Sequence, residues 1–397
     1  MSPMHIIVRR CGSAITYALF ISIYFNFLQD QLGWDADSAS LFYSFLLFSN
    51  QVFALPAGIF GDRFGFKPMM VVGCIIDAIC YLALATSPGV FVAISAAVGI
   101  GIGGCLFSTN ARAELLTASH GNKREAARQQ GRFLRWTNVG SLIGPVLGLL
   151  VLQHNNYTLA LSVSAAFEVA LSIPLILGWL RGGTREKSSK ITKLTLLDIG
   201  PQRKSFIKLH LWAFIPVGLA SSAPILFPYI FTNVVSSPDD NSIAQLIRNI
   251  VVIVLQSWAS QALLIEGKLS RILIACSMLT FCIFILAFLF PYNSMIFGLS
   301  ALFGLIQVFT TTAIYNGIVL IGSTERQATF FGASKLLLSA STFIVLQAIP
   351  LLMIWLSQNI QPLSGVPLHS VQLVIGMLVL GCIAVISHSG RLQKDES

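Results

Sequence analysis

The chain has 397 residues, of which 55% are hydrophobic and only 10% charged, with a mean hydropathy of +0.78. A soluble globular domain carries roughly 25% charged residues, and no soluble fold of this length has interior enough for so much apolar surface. The composition therefore excludes a soluble enzyme or binding module and requires a chain that crosses a membrane many times.

A spanning helix needs about 20 mostly apolar residues. The sequence predicts twelve such spans, at about 11–29, 41–60, 68–87, 90–112, 131–153, 157–180, 209–234, 242–264, 270–290, 294–320, 328–355 and 370–388. Turn residues or charges separate them: Gly33 and Asp35, Ser87-Pro88, His154-Asn155-Asn156, Ser237-Pro238-Asp239, Pro291-Tyr292-Asn293 and Gln361-Pro362. The run that starts at Cys11 is long enough to span and follows Arg9 and Arg10, so it reads as a first span rather than a cleavable signal.

Charge orients these spans. With the N-terminus in the cytoplasm, all but three of the 25 Lys and Arg fall on cytoplasmic segments or helix ends; the three exceptions, Arg135, Arg248 and Lys335, lie within spans. The opposite loops carry Asp30, Asp35, Asp37, Asp239 and Asp240 and no base. That asymmetry predicts cytoplasmic N- and C-termini and an even number of spans. It also explains the net charge of +9 as orientation, so no nucleic-acid partner is expected.

The longest polar segment, 181–208, is basic and central. It divides the chain into an N-terminal six-span half (1–180), a cytoplasmic linker (181–208) and a C-terminal half (209–397). A faint internal echo joins the halves: Phe107, Thr109 and Ala111 recur as Phe309, Thr311 and Ala313. The seven cysteines fall in apolar stretches without C-x-x-C spacing, and the six histidines lie in loops or near span ends without acidic partners at useful spacing. No metal, cofactor or catalytic site is expected. No glycine-rich phosphate loop is present either.

Two glycine-punctuated segments stand out. One is Gly58-Ile-Phe-Gly-Asp62-Arg63-Phe-Gly65-Phe-Lys67, between the second and third spans; the other is Gly140-Ser-Leu-Ile-Gly144-Pro145-Val-Leu-Gly148, inside the fifth. Gly58 permits close helix approach and Gly65 a tight turn, while Asp62, Arg63 and Lys67 can pair or cap a helix at the membrane surface. Gly140, Gly144 and Gly148 form one smooth stripe, and Pro145 beside it can kink the helix.

These segments resemble two signatures of the major facilitator superfamily of transporters. The first matches G-x-x-x-D-R-x-G followed by two basic positions, with Phe66 in place of the first base. The second matches G-x-x-x-G-P-x-x-G-G, with Leu149 in place of the last glycine, and in that superfamily marks proton-driven exporters. The resemblance implies an all-α membrane fold of twelve transmembrane helices in two pseudo-symmetric six-helix halves. It implies a cytoplasmic latch formed by Asp62 and Arg63, and a glycine contact at the interface between halves. It also implies that helices 1, 4, 7 and 10 line the cavity, which nominates Tyr17, Tyr24, Asn26, Thr109, Tyr229, Gln307, Thr311, Tyr315 and Asn316 for substrate. Two departures stand against the best-known multidrug members: Ile94-Ser-Ala-Ala-Val98 lacks the fourth-helix arginine, and the first span has no central acid.

Charges inside spans are expensive, about 2.5–3.5 kcal/mol each on insertion scales. Asp77 and Glu168 are candidates to carry a coupling proton. Arg135 stands half a turn away from Gly144, and the alternative is a buried Asp77–Arg135 pair. Lys335 and Arg112 are placed to attract an anionic substrate, or to snorkel to the interface. The expected function is proton-coupled export of a small organic molecule, drug-like or an anionic metabolite or siderophore. The exporter is expected to be a monomer in the cell inner membrane, with the bilayer, protons and its substrate as partners. A proton-coupled importer is the alternative, and a membrane-embedded enzyme a remote one.

Overall fold

A computed structural model describes residues 3–119, 121–181, 204–214, 216–218, 240–263, 272–276, 278–279, 293–321 and 326–359, and all regular structure among them is helical. The named helices are α1 (Pro3–Leu32), α2 (Ala36–Val52), α3 (Ala54–Phe64), α4 (Phe66–Ala85), α5 (Val90–Thr117), α6 (Lys123–His154), α7 (Tyr157–Arg181), α8 (Asp240–Ala262), α9 (Asn293–Ile321) and α10 (Gln327–Asn359). Among the described residues, six helices are long and apolar enough to cross a membrane, or seven if α2 and α3 form one bent span. The spans predicted at 209–234, 270–290 and 370–388 lie mostly or wholly outside the described residues.

Several predicted boundaries move, among them that of the fifth span, whose helix α6 begins at Lys123 rather than at 131. The second span is not one helix: α2 and α3 meet at Phe53 with a bend of 43°. Pro56 has no N–H to give to the carbonyl of Val52, so the ladder lapses there. The first span does not start at Cys11; α1 begins at Pro3 and carries Arg9 inside, with 1% of its surface exposed. Helix ends follow their caps. The Asp35 side chain accepts from Ser38 N to start α2, and Asn122 accepts from Arg124 N and Glu125 N to start α6. Gly65, at φ +98°, makes the turn between α3 and α4 that a residue with a Cβ would resist.

The chain forms two compact units, Met1–Arg203 with Ile321–Leu336, and Lys204–Leu320 with Leu337–Ser397. The opening turns of α10 thus belong to the first unit. Within that unit α1 packs along α6 and α7, α4 along α5 and α7, and α2 along α5. Two of its apolar clusters flank its buried charges. One gathers Phe20, Ile23, Phe27, Phe42, Tyr81, Leu84, Ala97, Tyr157 and Leu161. The other gathers Ile6, Met70, Cys74, Phe107, Phe133 and Leu175. Along α1, α4 and α7 the residues between the two clusters are Arg9 to Thr16, Asp77 and Glu168, so a polar layer is sandwiched between two apolar ones.

In the second unit α8 and α9 are joined by neutral bonds. Gln256 Nε2 donates to Thr312 Oγ1 at 2.9 Å, and Asn316 Nδ2 to Ser260 O at 3.0 Å. Gln256 and Ser260, like Thr312 and Asn316, are four apart and share a helix face.

Candidate functional site

The polar layer of the first unit is built from three helices. Arg9 Nη2 is ion-paired with Glu168 Oε2, and Thr16 Oγ1 donates to the other carboxylate oxygen. Arg9 and Thr16 are seven residues apart, two turns of α1, and so face the same neighbour. The Arg9 guanidinium carbon also lies 5.0 Å from the centroid of the Phe107 ring. Its Nε and Nη1 have no hydrogen-bond acceptor. Ser172 Oγ donates to the Glu168 backbone carbonyl at 2.6 Å. Asp77, 4% exposed, stands within electrostatic reach of both Glu168 and Arg9. Its Oδ1 has no hydrogen-bond donor and presses on Gly103, where an added Cβ would lie 2.2 Å away. The fully buried charges of the layer are therefore two carboxylates and one guanidinium, the latter committed to Glu168; the half-buried Arg10 also acts on Asp77.

This corrects the expected role of Arg135. Arg135 is exposed on α6, and the ion pair of this layer is Arg9–Glu168, not Asp77–Arg135. Sequence reasoning passed over Arg9 because Arg9-Arg10 ahead of an apolar run looks like a cytoplasmic flank. The available signal was the seven-residue interval to Thr16.

The loop motif is also rearranged relative to expectation. Asp62 and Arg63 make separate contacts. The Asp62 carboxylate accepts from the first-turn amides of α10, Ala328 N at 3.1 Å and Thr329 N at 2.8 Å. Such a carboxylate satisfies helix N–H groups that have no partner of their own and meets the positive end of the helix dipole. A Cβ at Gly58 would lie 2.3 Å from Ala328 O, so that glycine lets α3 reach α10. Arg63 is exposed, its guanidinium 5.3 Å from the Phe64 ring centroid. Lys67 pairs with Glu114 across 3.8 Å. Gly332, not anticipated, plays the reciprocal part: a Cβ there would lie 2.2 Å from Ala54 O. Thr117 Oγ1 adds a bond to Gln327 Oε1 at 2.7 Å.

The stripe of Gly140, Gly144 and Gly148 packs against α1, within the N-terminal half and not at the implied interface between halves. Cβ atoms added there would meet Cys11 O at 2.4 Å, Ala18 Cβ at 2.6 Å and Ser22 Oγ at 1.8 Å. Pro145 lies on the exposed side of α6 with Val146 and Leu149.

The substrate candidates are not all brought together. Tyr24 stacks on Tyr43, ring centroids 5.3 Å apart, and on Phe42. Tyr17 is half-buried and Asn26 exposed. Thr109 is buried in α5. Arg112 lies over the Phe133 ring at 4.7 Å and donates through Nη1 to Gln130 Oε1 at 3.2 Å. Lys335 Nζ donates to Asn50 Oδ1 at 2.6 Å. On α9, Gln307, Thr311 and Tyr315 are half-buried and Asn316 is spent on α8. Tyr229 lies outside the described residues.

A helical bundle with an apolar exterior, a charged layer in its middle and a carboxylate-capped helix at one end is the architecture of a polytopic membrane transporter. Residues 10–390 match the Major Facilitator Superfamily family model, and the chain belongs to that superfamily, whose fold is twelve helices in two halves. An uncharacterized MFS-type transporter of Mycobacterium tuberculosis (strain ATCC 25618 / H37Rv) is 26% identical over 171 residues, 43% of this chain and 40% of that protein. The multidrug resistance protein MdtH of Klebsiella pneumoniae (strain 342) is 34% identical over 149 residues, 36% of this chain and 34% of that one. The chain thus spans less than half the length of these curated relatives. Among solved structures, the human organic anion transporter MFSD10 (TETRAN) superposes with a TM-score of 0.69 at 13% identity over 96% of this chain and 98% of that one. The transporter FucP in its outward conformation gives 0.69 at 14% over 97% and 98%. At these identities the superpositions speak for the fold.

Proposed function

We propose that this transporter is a proton-coupled exporter of small organic molecules, working by alternating access in the cell inner membrane with both termini cytoplasmic. One observation carries the coupling: Asp77 is a buried carboxylate with no ion-pair partner of its own, because Arg9, the one fully buried cation of the layer, is paired with Glu168. Arg9 and Glu168 neutralise each other, which leaves Asp77 with an oxygen that no donor satisfies. An unpaired carboxylate at that depth costs several kcal/mol. Taking up one proton removes that charge, and releasing it to the other side of the membrane completes a transport step. Glu168, tied by Arg9 and Thr16, serves as the fixed counter-charge. Export as the direction rests on the Gly140–Gly148 stripe with Pro145 and on the partial similarity to MdtH. Asp62 supplies the gate: its two bonds to α10 hold the cytoplasmic end of the first unit closed and must break for that end to open.

Purified protein in liposomes tests this with an imposed proton gradient and ethidium as the transported probe. Asp77→Asn is expected to insert and fold, to exchange probe across the membrane, and to lose gradient-driven accumulation. Full gradient-driven accumulation by Asp77→Asn would remove Asp77 from the mechanism.

A further inference from the structure

Four contacts lay the start of α10 along α2 and α3 in one line. Asp62 caps its first turn, Gly58 lets Ala328 approach, and Gly332 meets Ala54. Lys335 then reaches Asn50, Nζ to Oδ1 at 2.6 Å. Residues 50, 54, 58 and 62 recur at intervals of four, while 328, 332 and 335 share one face of α10. This seam lies wholly within the first unit. It passes the 43° bend at Phe53, so α10 is fastened to both arms of the bent pair. On α3 the fastening is backbone contact and a carboxylate; on α2 it is the Lys335 ammonium.

The α2 end of the seam is arranged to receive that ammonium. Asn50 lies in the last turn of α2, where backbone carbonyls lack helical partners, and Cys105 Sγ donates to its carbonyl at 3.0 Å. Its side-chain Nδ2 donates to Gly101 O at 3.0 Å. Gly104 stands beside that amide, where an added Cβ would lie 3.2 Å from Nδ2. With its donor end taken by α5, the amide presents its acceptor end, Oδ1, to α10. Lys335 Nζ also donates to Cys105 Sγ at 3.8 Å. Both acceptors are neutral. Lys335 is seven residues past Ala328, about 10 Å further along the helix. A lysine that merely snorkelled would extend its ammonium to water; this one is held by groups of α2 and α5.

A cation this far inside a span is unfavourable unless it is bound. A carboxylate at position 50 would bind it more tightly, but parting a buried ion pair leaves two bare charges, and a helix held that way would not be released. Amide and thiol acceptors hold the ammonium through charge-assisted hydrogen bonds and leave no charge behind on α2 when it departs. We propose that Lys335 and Asn50 form a second bolt of the cytoplasmic gate, deeper than the Asp62 cap, which breaks and re-forms in each transport cycle. They are positioning residues that act through α10. The proposal rests on the alternating-access reading above and adds the pair that sets the strength of the closed state.

The test reads opening and transport separately in the full chain. Ala328→Cys puts a thiol at a buried position of the seam, and site-resolved mass spectrometry follows its labelling by N-ethylmaleimide in detergent. Against that background Lys335→Gln should label about tenfold faster, since a charge-assisted hydrogen bond shifts an equilibrium by about that factor or more. Asn50→Ala should match it, and the two together should be no faster than either alone. Lys335→Arg, which keeps the charge, should stay within about threefold. Asn50→Asp is the reverse arm: a charged acceptor of the same shape should slow labelling about tenfold and slow ethidium turnover in liposomes. A residue that only supported folding would not slow opening when its contact is strengthened, and this arm stands alone if Lys335→Gln does not fold. Unchanged labelling in Lys335→Gln and Asn50→Ala, or unchanged or faster labelling in Asn50→Asp, would overturn the bolt. Gradient-driven ethidium accumulation with labelling indifferent to Lys335 and Asn50 keeps the exporter and removes the bolt. Labelling as expected with ethidium movement that ignores the gradient keeps the bolt and removes the coupling.

Discussion

The first unit and the α8–α9 pair bury polar groups in opposite ways. Between α1, α4 and α7 the buried groups are charged, Arg9, Glu168 and Asp77, and part of their bonding capacity is unmet. Between α8 and α9 they are mostly neutral: Gln256 meets the Thr312 hydroxyl and Asn316 the Ser260 carbonyl across the seam, while Ser257 Oγ, Gln307 Oε1 and Thr310 Oγ1 have no partner. Arg248 on α8 is the charged member of this pair of helices, buried with its Nη2 on Asn249 Oδ1 at 3.3 Å. A neutral amide bond across two helices is a fastener: it has one protonation state and one best geometry. A charged layer with a carboxylate outside its ion pair has two states that differ by a proton. The contrast marks where the first unit keeps chemistry that can change and where the second keeps contacts that need only hold.

Breaking the charged layer should have the largest effect. Glu168→Gln strands the Arg9 guanidinium in an apolar surround and is expected to cost about 3–5 kcal/mol, seen as a sharp loss of folded protein in a thermal melt. The double change Arg9→Gln with Glu168→Gln should recover most of that loss. If the single change melts like the wild type, the pair does not hold the layer together. Next comes the packing beneath it. Gly144→Leu drives a side chain into Ala18 and Leu19 and should lower stability by about 1–3 kcal/mol, with α1 separating from α6. A cysteine cross-link between Ala18 and Ile143, slower to form in the variant, would report that separation.

The capped helix comes third. Asp62→Ala removes the acceptor for two α10 amides and should cost about 0.5–2 kcal/mol. Faster hydrogen exchange at residues 327–330 checks it, and unchanged exchange there would refute the cap. The smallest effect belongs to the neutral seam. Gln256→Leu loses one interhelical bond worth about 0.6 kcal/mol on average inside membranes and should leave transport unaltered. A stability loss as large as that of Glu168→Gln would erase the distinction between the two regions.

Several features were legible in the residues because they depend on composition and local order alone. Apolar runs mark where helices lie, since a bilayer admits no unsatisfied backbone, and α4, α7 and α9 start and stop close to the expected positions. The spacing from Gly58 to Lys67 carries the family resemblance, and the cost of burial singles out Asp77 and Glu168 as charges that need a reason.

Partnership was not legible, because it is set by which faces of distant helices meet. Glu168 takes Arg9, 159 residues away in the chain, and no local rule prefers it to Arg135. Asp62 binds backbone amides 266 and 267 residues further on; amides are common to every residue, so the sequence contains no mark of the recipient. The glycine stripe announces a close contact but not the helix that makes it. Lys335 and Arg112 were visible as cations, but that Arg112 shares the Phe133 ring with Arg10 and that Lys335 meets Asn50 required five helices to pack. Periodicity and charge are properties of one segment and survive in the sequence; pairing belongs to the packed bundle, and only the tertiary structure decides it.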